Sequence, residues 1–369
     1  MDEPGSEEVS RKPANRAFYQ QTMRAYSPYL TPWKAVSGYV LIGLLFIPLG
    51  IFLGIDSRDV AEMRYQYDGT GSDGTDCQIT EYNENVTCTI SFDVAEDMSG
   101  PVYVYYELTK FYQNHATYVE SVDTNQLEGS TSTSDIDDCS PLESNGSLVL
   151  HPCGLIANTL FNDIIKLTSG ATMDESGIAW KTDIDDKFVQ PDDFASAVCT
   201  TGDCAECLAE AGYSDTSGDS VFDGCALWTE DGTEYAYYYP DENDTQYLYE
   251  TFPEVISPLE GVKNEHFIVW MRTSGSYDFR KLYGRIEDGL SAGDSLTFTV
   301  RANFLVEYYG GTKALVLSTT NDMGGRNPYW GQSFLALGLC VWGLAALVAV
   351  KEFFFPRVMG DPKKLVDDF

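Results

Sequence analysis

The sequence predicts a membrane protein: two transmembrane helices and a large, mainly-β ectodomain, an antiparallel β-sandwich with short helices, bonded by disulfides. Three observations predict it. Two long apolar runs without a charge stand near the two ends of the 369 residues. Eight of the nine cysteines fall between those runs. The stretch between them also holds segments in which apolar and polar residues alternate, as a half-buried antiparallel strand requires.

Residues 1–34 form a polar segment. "AVSGYVLIGLLFIPLGIFLGI" (35–55) is the first span and "YWGQSFLALGLCVWGLAALVAV" (329–350) the second. At about 1.5 Å per residue, roughly 20 residues cross the hydrocarbon core, so each run is long enough. Two buried core helices are the alternative, which the length and uniformity of the runs disfavour. The first run also follows 34 mostly polar residues and is too long for the apolar part of a signal peptide. Lys34 precedes the first span, Lys351 follows the second, and both tails are rich in Lys and Arg. Positive charge favours the cytosolic side, which places residues 1–34 and 351–369 in the cytosol and 56–328 in the lumen or outside the cell. Tyr29, Trp33, Tyr329 and Trp330 are positioned as interfacial anchors. Gly50 and Gly54, and in the second span Ala336/Cys340 and Ala345/Ala349, are small residues four apart, a spacing that lets a neighbouring helix approach closely. Pro48 is expected to kink the first span.

Acidic residues outnumber basic ones 57 to 23, for a net charge of −34. The two tails hold nine Lys/Arg and eight Asp/Glu, leaving fourteen and 49 for the rest. Such a surface excludes nucleic acid as a partner, because binding it needs basic residues to displace counterions.

Cys340 sits inside the second span as a small apolar filler. The even set Cys77, Cys88, Cys139, Cys153, Cys199, Cys204, Cys207 and Cys225 reads as up to four disulfides in an oxidising compartment. Three sequons, at Asn85, Asn145 and Asn243, fit that address. The cluster Cys199, Cys204, Cys207, Cys225 resembles a zinc site in isolation. Disulfides are favoured over metal there, with three pairings open. "CTISFDV" (88–94) and "LTFTVRANF" (296–304) alternate as strands; "HFIVWM" (266–271) and "KALVLS" (313–318) read as more deeply buried strands. "NTLFNDIIKL" (158–167) reads as a short amphipathic helix through Leu160, Phe161, Ile164 and Ile165.

The sequence holds few residues arranged for chemistry. Gly289-Leu-Ser291-Ala-Gly293 matches a nucleophile elbow, but a strand follows where that motif needs a helix, so "SAGD" reads as a turn. Asp215-x-Ser217-x-Asp219 starts like a calcium loop, yet Ser220 stands at the required glycine and Ala226 at the closing glutamate. Among 49 acids, close carboxylate pairs arise by chance and identify no glycosidase. His115, His151 and His266 share no ligand spacing. Neither a catalytic residue, a metal nor a cofactor is expected. "FYQNHATYVES" (111–121) carries side chains suited to an active site. Its Phe111, His115, Tyr118 and Val122 recur at helical spacing, with Gln113 and Asn114 on the other face, so it reads as a scaffold helix after the strand "VYVYY".

Several blocks closely resemble signatures of the cell division control protein 50 family: "AFYQQTMRAYSP" (17–28), "FYQNHATYVES", "PCGLIANTLFND" (152–163), "IAWKTDIDDKF" (178–188), "VWMRTSGSYDFRKLYGRI" (269–286) and "GGTKALVLSTTNDMGGRNPYWG" (310–331). They run in family order between and beside the two spans. The resemblance implies the non-catalytic beta subunit of a phospholipid flippase. Its partner would be a type IV P-type ATPase catalytic subunit, which moves lipids such as phosphatidylserine from the exoplasmic to the cytosolic leaflet. The chain itself lacks the DKTGT motif of the pump. The resemblance further implies a heterodimer in contact with membrane lipids, escort out of the endoplasmic reticulum towards Golgi, endosome or plasma membrane, and disulfides Cys77–Cys88 and Cys139–Cys153. The Cys199–Cys225 block departs from the family pattern as an added loop, and "TSGSYDF" lacks the alanine and proline expected after "VWMRT". A two-span ligand-gated channel subunit shares the topology. It lacks clustered Lys/Arg for an anionic ligand and a polar ring in either span. A tethered luminal hydrolase would need a reactive carboxylate or serine.

Overall fold

The computed structural model describes residues 14–23, 31–73, 76–132, 136–214, 222, 224–240 and 243–356. Tyr29 and the calcium-like stretch from Asp215 to Ser220 lie outside them. The chain divides into two units, residues 1–55 with 328–369, and residues 56–327.

The first unit contains two helices near the two ends, α1 (Pro32–Asp56) and α8 (Pro328–Phe354), both long and apolar enough to cross a membrane. α1 continues through Pro48 to Asp56. The pair is held by what glycine leaves out. A Cβ on Gly50 would stand 2.6 Å from the Leu335 backbone nitrogen, and one on Gly331 the same distance from that of Gly54. Only bare backbone fits this approach. Above it the Phe46 and Phe334 rings stack at 5.6 Å, and Trp342 Nε1 donates to the Val40 carbonyl at 3.2 Å.

The second unit is a sandwich of a four-stranded and a three-stranded antiparallel sheet. The larger runs β1 (Glu62–Gly69), β13 (Thr312–Ser318), β3 (Val102–Leu108), β11 (Phe279–Ile286). The smaller runs β2 (Val86–Asp93), β12 (Ser295–Ala302), β6 (Ile164–Ser169). Alternate residues of β2, β3 and β12 are buried, so each sheet presents one face to a shared core. Phe92 of β2 meets Tyr65 of β1 and Phe298 of β12, and Tyr106 of β3 stacks on Phe161 at 3.9 Å. β13 is central and buried along six of its seven residues, which accounts for the unbroken apolar run in its sequence.

Two smaller sheets flank the sandwich. One runs β10 (Thr245–Tyr247), β5 (Leu148–His151), β4 (Ser144–Asn145), with α6 (Leu248–Thr251) following β10. The other, β7 (Ala195–Val198), β9 (Thr233–Tyr238), β8 (Ala226–Glu230), carries α5 (Cys204–Glu210) over a small core that includes Leu208, Phe222 and Ala236.

Three sequence expectations are corrected. "HFIVWM" is a helix, α7 (Glu265–Met271). The Asn264 side chain accepts from the Phe267 amide at 3.1 Å and so caps its start. Phe267, Ile268 and Trp270 are all buried, so this helix shows the uniform apolar run of a buried strand. "NTLFNDIIKL" is a single 3-10 turn at Ala157–Thr159 and then strand β6. Asp163 stops the helical course, because its carboxylate accepts from the Asn303 and Phe304 amides at 2.6 and 2.7 Å. In "FYQNHATYVES" only α2 (Ala116–Glu120) is helical. Its expected face does not form: His115 is exposed, whereas Gln113 is fully buried and its Oε1 accepts from the Ser274 amide at 2.9 Å. Phe111 anchors an aromatic cluster with Tyr118, Trp270, Phe304 and Tyr309. The "SAGD" stretch is a turn, closed by the Asp294 amide on the Ser291 carbonyl at 3.0 Å.

Candidate functional site

Four of the sequence blocks converge on one wall of the sandwich unit. A cavity of about 360 Å³ lies among Val119 within α2 and Val122 after it, Leu127 of α3 (Thr124–Leu127), Ile156, Phe188 after α4 (Lys181–Asp186), and Met271 and Arg272 at the end of α7. Local chemistry places each part. The Asp123 carboxylate caps α3 by accepting from the Asn125 amide at 2.8 Å. Trp270 fixes α7 with its indole N–H on the Ile156 carbonyl at 2.8 Å. The buried Lys281 ammonium binds the α7 end through the carbonyls of Val269, Trp270 and Arg272, while burial lowers its pKa to about 8.

The polar element of this wall is Asp183. Its carboxylate is buried, accepts from Arg272 Nε at 2.6 Å and pairs with Lys187 at 2.9 Å. The Arg272 hydrogen bond, then Lys187, holds the carboxyl below its usual range, so it stays ionised at neutral pH. The Arg272 guanidinium also lies 5.2 Å from the Trp180 ring centre, and Trp180 is 67% exposed. The result is an apolar hollow edged by a fixed cation and an exposed indole, an arrangement suited to gripping another surface.

A second polar cluster lies inside the core. Lys313 of β13, completely buried, pairs with Asp163 at 2.8 Å and Asp68 at 3.1 Å and donates to the Phe304 carbonyl at 2.7 Å. The Tyr67 hydroxyl donates to Asp163 at 2.8 Å. Burial raises the Asp68 carboxyl above its usual value against the pull of Lys313. No motif marks either cluster; a lone lysine at the head of the apolar run "KALVLS" is the only sequence signal of the second.

The cysteines pair as Cys77–Cys88, Cys139–Cys153, Cys199–Cys207 and Cys204–Cys225, the last two within the β7–β9–β8 lobe. Asn85, Asn145 and Asn243 are exposed. The small residues of the spans divide. Gly50 faces α8, where Gly331, Gly338 and Ala345, seven residues apart, are the buried positions, whereas a Cβ on Gly54 would point into open space and only its backbone lies against Gly331. Ala336 and Cys340 are exposed and do not meet α1. Among the described residues no group of three His, Cys, Asp or Glu is arranged to hold a metal ion.

Residues 53–358 match the LEM3 (ligand-effect modulator 3) family / CDC50 family. The chain belongs to this family. It is 31% identical to ALA-interacting subunit 3 of Arabidopsis thaliana, over 99% of this chain and 93% of the relative. It is 33% identical to cell cycle control protein 50A of Mus musculus, over 94% and 91%. Against cell cycle control protein 50B of Homo sapiens it is 34% identical, over 90% and 91%. The plant name describes a subunit that interacts with ALA, and none of the three names states a catalysed reaction. Membership of the CDC50 family thus goes with an accessory-subunit role and with a chain matched along nearly its whole length.

Proposed function

We propose that this chain is the non-catalytic beta subunit of a type IV P-type ATPase that flips phospholipids from the exoplasmic to the cytosolic leaflet. It forms a heterodimer with that ATPase, supports its folding and exit from the endoplasmic reticulum, and accompanies it to the Golgi, endosomes or plasma membrane. The observation that carries the reading is the end-to-end similarity to a relative named as an interacting subunit. Both termini lie in the cytosol and residues 56–328 in the lumen or outside, where eight cysteines pair and Asn85, Asn145 and Asn243 carry glycans. The exposed α8 positions Ala336 and Cys340, and the open side of Gly54, are free for helices of the ATPase, while Gly50 is taken up by the chain's own second span. The hollow edged by Trp180 and Arg272 grips an exoplasmic loop of the pump. A clamp of this kind favours a pump conformation only by binding it more tightly than the others.

Affinity purification of the tagged chain from its native membranes in mild detergent, followed by mass spectrometry, tests this. A type IV P-type ATPase is expected at one-to-one stoichiometry. A chain that emerges alone, or only with copies of itself, while other membrane complexes survive the same detergent, overturns it.

A further inference from the structure

The three sequon asparagines differ in their surroundings. Asn145 is exposed in β4 and its amide donates to Gln246 at 2.9 Å; Asn243 is exposed in a turn. Asn85 is exposed as well, but it also lines a cavity of about 210 Å³, large enough for one sugar ring. Besides Thr251 and Glu254, whose carboxylate pairs with Arg301, its walls are of two kinds. Asn83, Asn162 and Asn303 supply amides, while Phe252, Pro253 and Val255 supply an apolar surface. An N-acetylhexosamine has the matching two characters, with hydroxyl and acetamido groups at its rim and C–H faces and a methyl group between them.

The loop that presents Asn85 is fixed. Asn83 and Asn85 both have left-handed backbones, at φ 58° and 59°. The Asn85 amide donates to Asn303 Oδ1 at 3.0 Å, the Asn83 amide to the Asn303 carbonyl at 3.1 Å, and Asn162 Nδ2 to Asn83 Oδ1 at 2.6 Å. Asn162 is only 4% exposed, and its Oδ1 has no hydrogen-bond donor among the described residues. A buried acceptor without a donor is costly, and this one belongs to a residue lining the cavity beside the sequon.

We propose that the first N-acetylhexosamine of a glycan on Asn85 seats in this cavity and braces β2 against the segment 251–255. The inference rests on the luminal placement proposed above. Transfer from a lipid-linked oligosaccharide diphosphate forms a bond between the sugar C1 and Asn85 Nδ2, breaks the bond from C1 to the diphosphate oxygen, and removes one of the two amide protons. Nδ2 at present donates to the Asn83 carbonyl at 3.2 Å, and the amide proton that remains keeps this bond, which fixes the direction of the other valence. Attachment to the neighbouring side chain gives the sugar a high effective concentration, so a modest fit suffices to hold it.

Release of each glycan by an amidase that cleaves the sugar–asparagine bond, followed site by site with mass spectrometry, tests the seat on the full chain in detergent after bound proteins are stripped. Release at Asn85 is expected to be about tenfold slower than at Asn145 and Asn243 in the folded chain, and equal to them after denaturation. Thr87→Ala, which removes the sequon but keeps Asn85, is expected to lower the melting temperature by roughly a few degrees. Thr87→Ser, which restores the sequon, and Ser147→Ala, which removes that of Asn145, leave it unchanged. Equal release at all three sites in the folded chain overturns the seat. An unmodified Asn85 beside modified Asn145 and Asn243 overturns it too while sparing the luminal placement. No glycan at any of the three overturns the placement itself and the seat with it.

Discussion

Two carboxylate–cation clusters in the ectodomain are built from the same groups in opposite proportion. At the wall hollow, one buried acid, Asp183, meets two bases, Arg272 and Lys187, that reach out to solvent. In the core, two acids, Asp68 and Asp163, share one base, Lys313, out of contact with water. The first arrangement lowers the carboxyl pKa and the second raises that of Asp68. The number of cations, and whether they reach solvent, decides the sign. An acid with surplus cations is a fixed anchor at any physiological pH, while an acid short of cation and solvent is a stored liability that holds only while its one lysine stays in place.

The largest effect expected from breaking this contrast is at Lys313. Lys313→Ala leaves two carboxylates buried with no cation and should cost about 3–5 kcal/mol. Thermal unfolding of the purified chain measures it, and retention in the endoplasmic reticulum is the cellular counterpart. Arg272→Ala leaves Asp183 with the exposed Lys187 alone and should cost about 1–3 kcal/mol. If the two substitutions cost the same, burial is not what separates the clusters.

The pH dependence sharpens the comparison further. Asp183 has a folded pKa below the unfolded value of about 3.9, so its contribution is complete above that pH and is lost as pH falls through the folded value. Asp68 lies above the unfolded value, so its contribution is complete below about pH 3.9 and is lost as pH rises through the folded pKa. Melting temperatures from acid to neutral pH should therefore show Asp183→Asn flattening the acid limb and Asp68→Asn flattening the fall on the other side. The smallest stability effect is expected at Trp180→Ala, under about 1 kcal/mol for an exposed ring beside Arg272. Capture of the ATPase should nonetheless drop roughly fivefold or more if the indole is an anchor. Unchanged capture would remove the hollow from the interface.

What the sequence revealed follows from the range of each interaction. The alternation of β2 and β12 records a single buried face and was readable residue by residue. α7 was misread because it is buried on several sides, although Asn264 before the run was a legible cap. β6 was misread because Asp163 takes its partners from residues 303 and 304, which no local pattern contains. In α8 the residues packed on α1, Gly331, Gly338 and Ala345, are seven apart, so four-residue spacing marks Ala345 but passes over Gly331 and Gly338. The wall hollow was present as blocks of resemblance, but that these blocks meet is a property of the fold alone.

The central position of β13 also sets a timetable for synthesis. Glu62 pairs with Ser318 and Val104 with Leu317, so both neighbours of β13 are made long before it. At roughly 5–20 residues per second, the chain between β1 and β13 takes on the order of tens of seconds to emerge. Throughout that interval the strand edges of β1 and β3 that receive β13 stand without their partner. Lys313 arrives with β13 as well, so Asp68 and Asp163 wait for their counter-charge until the same late moment. The nascent sandwich unit is thus an extended client for folding factors, and its final closure is an event of the last stretch of translation.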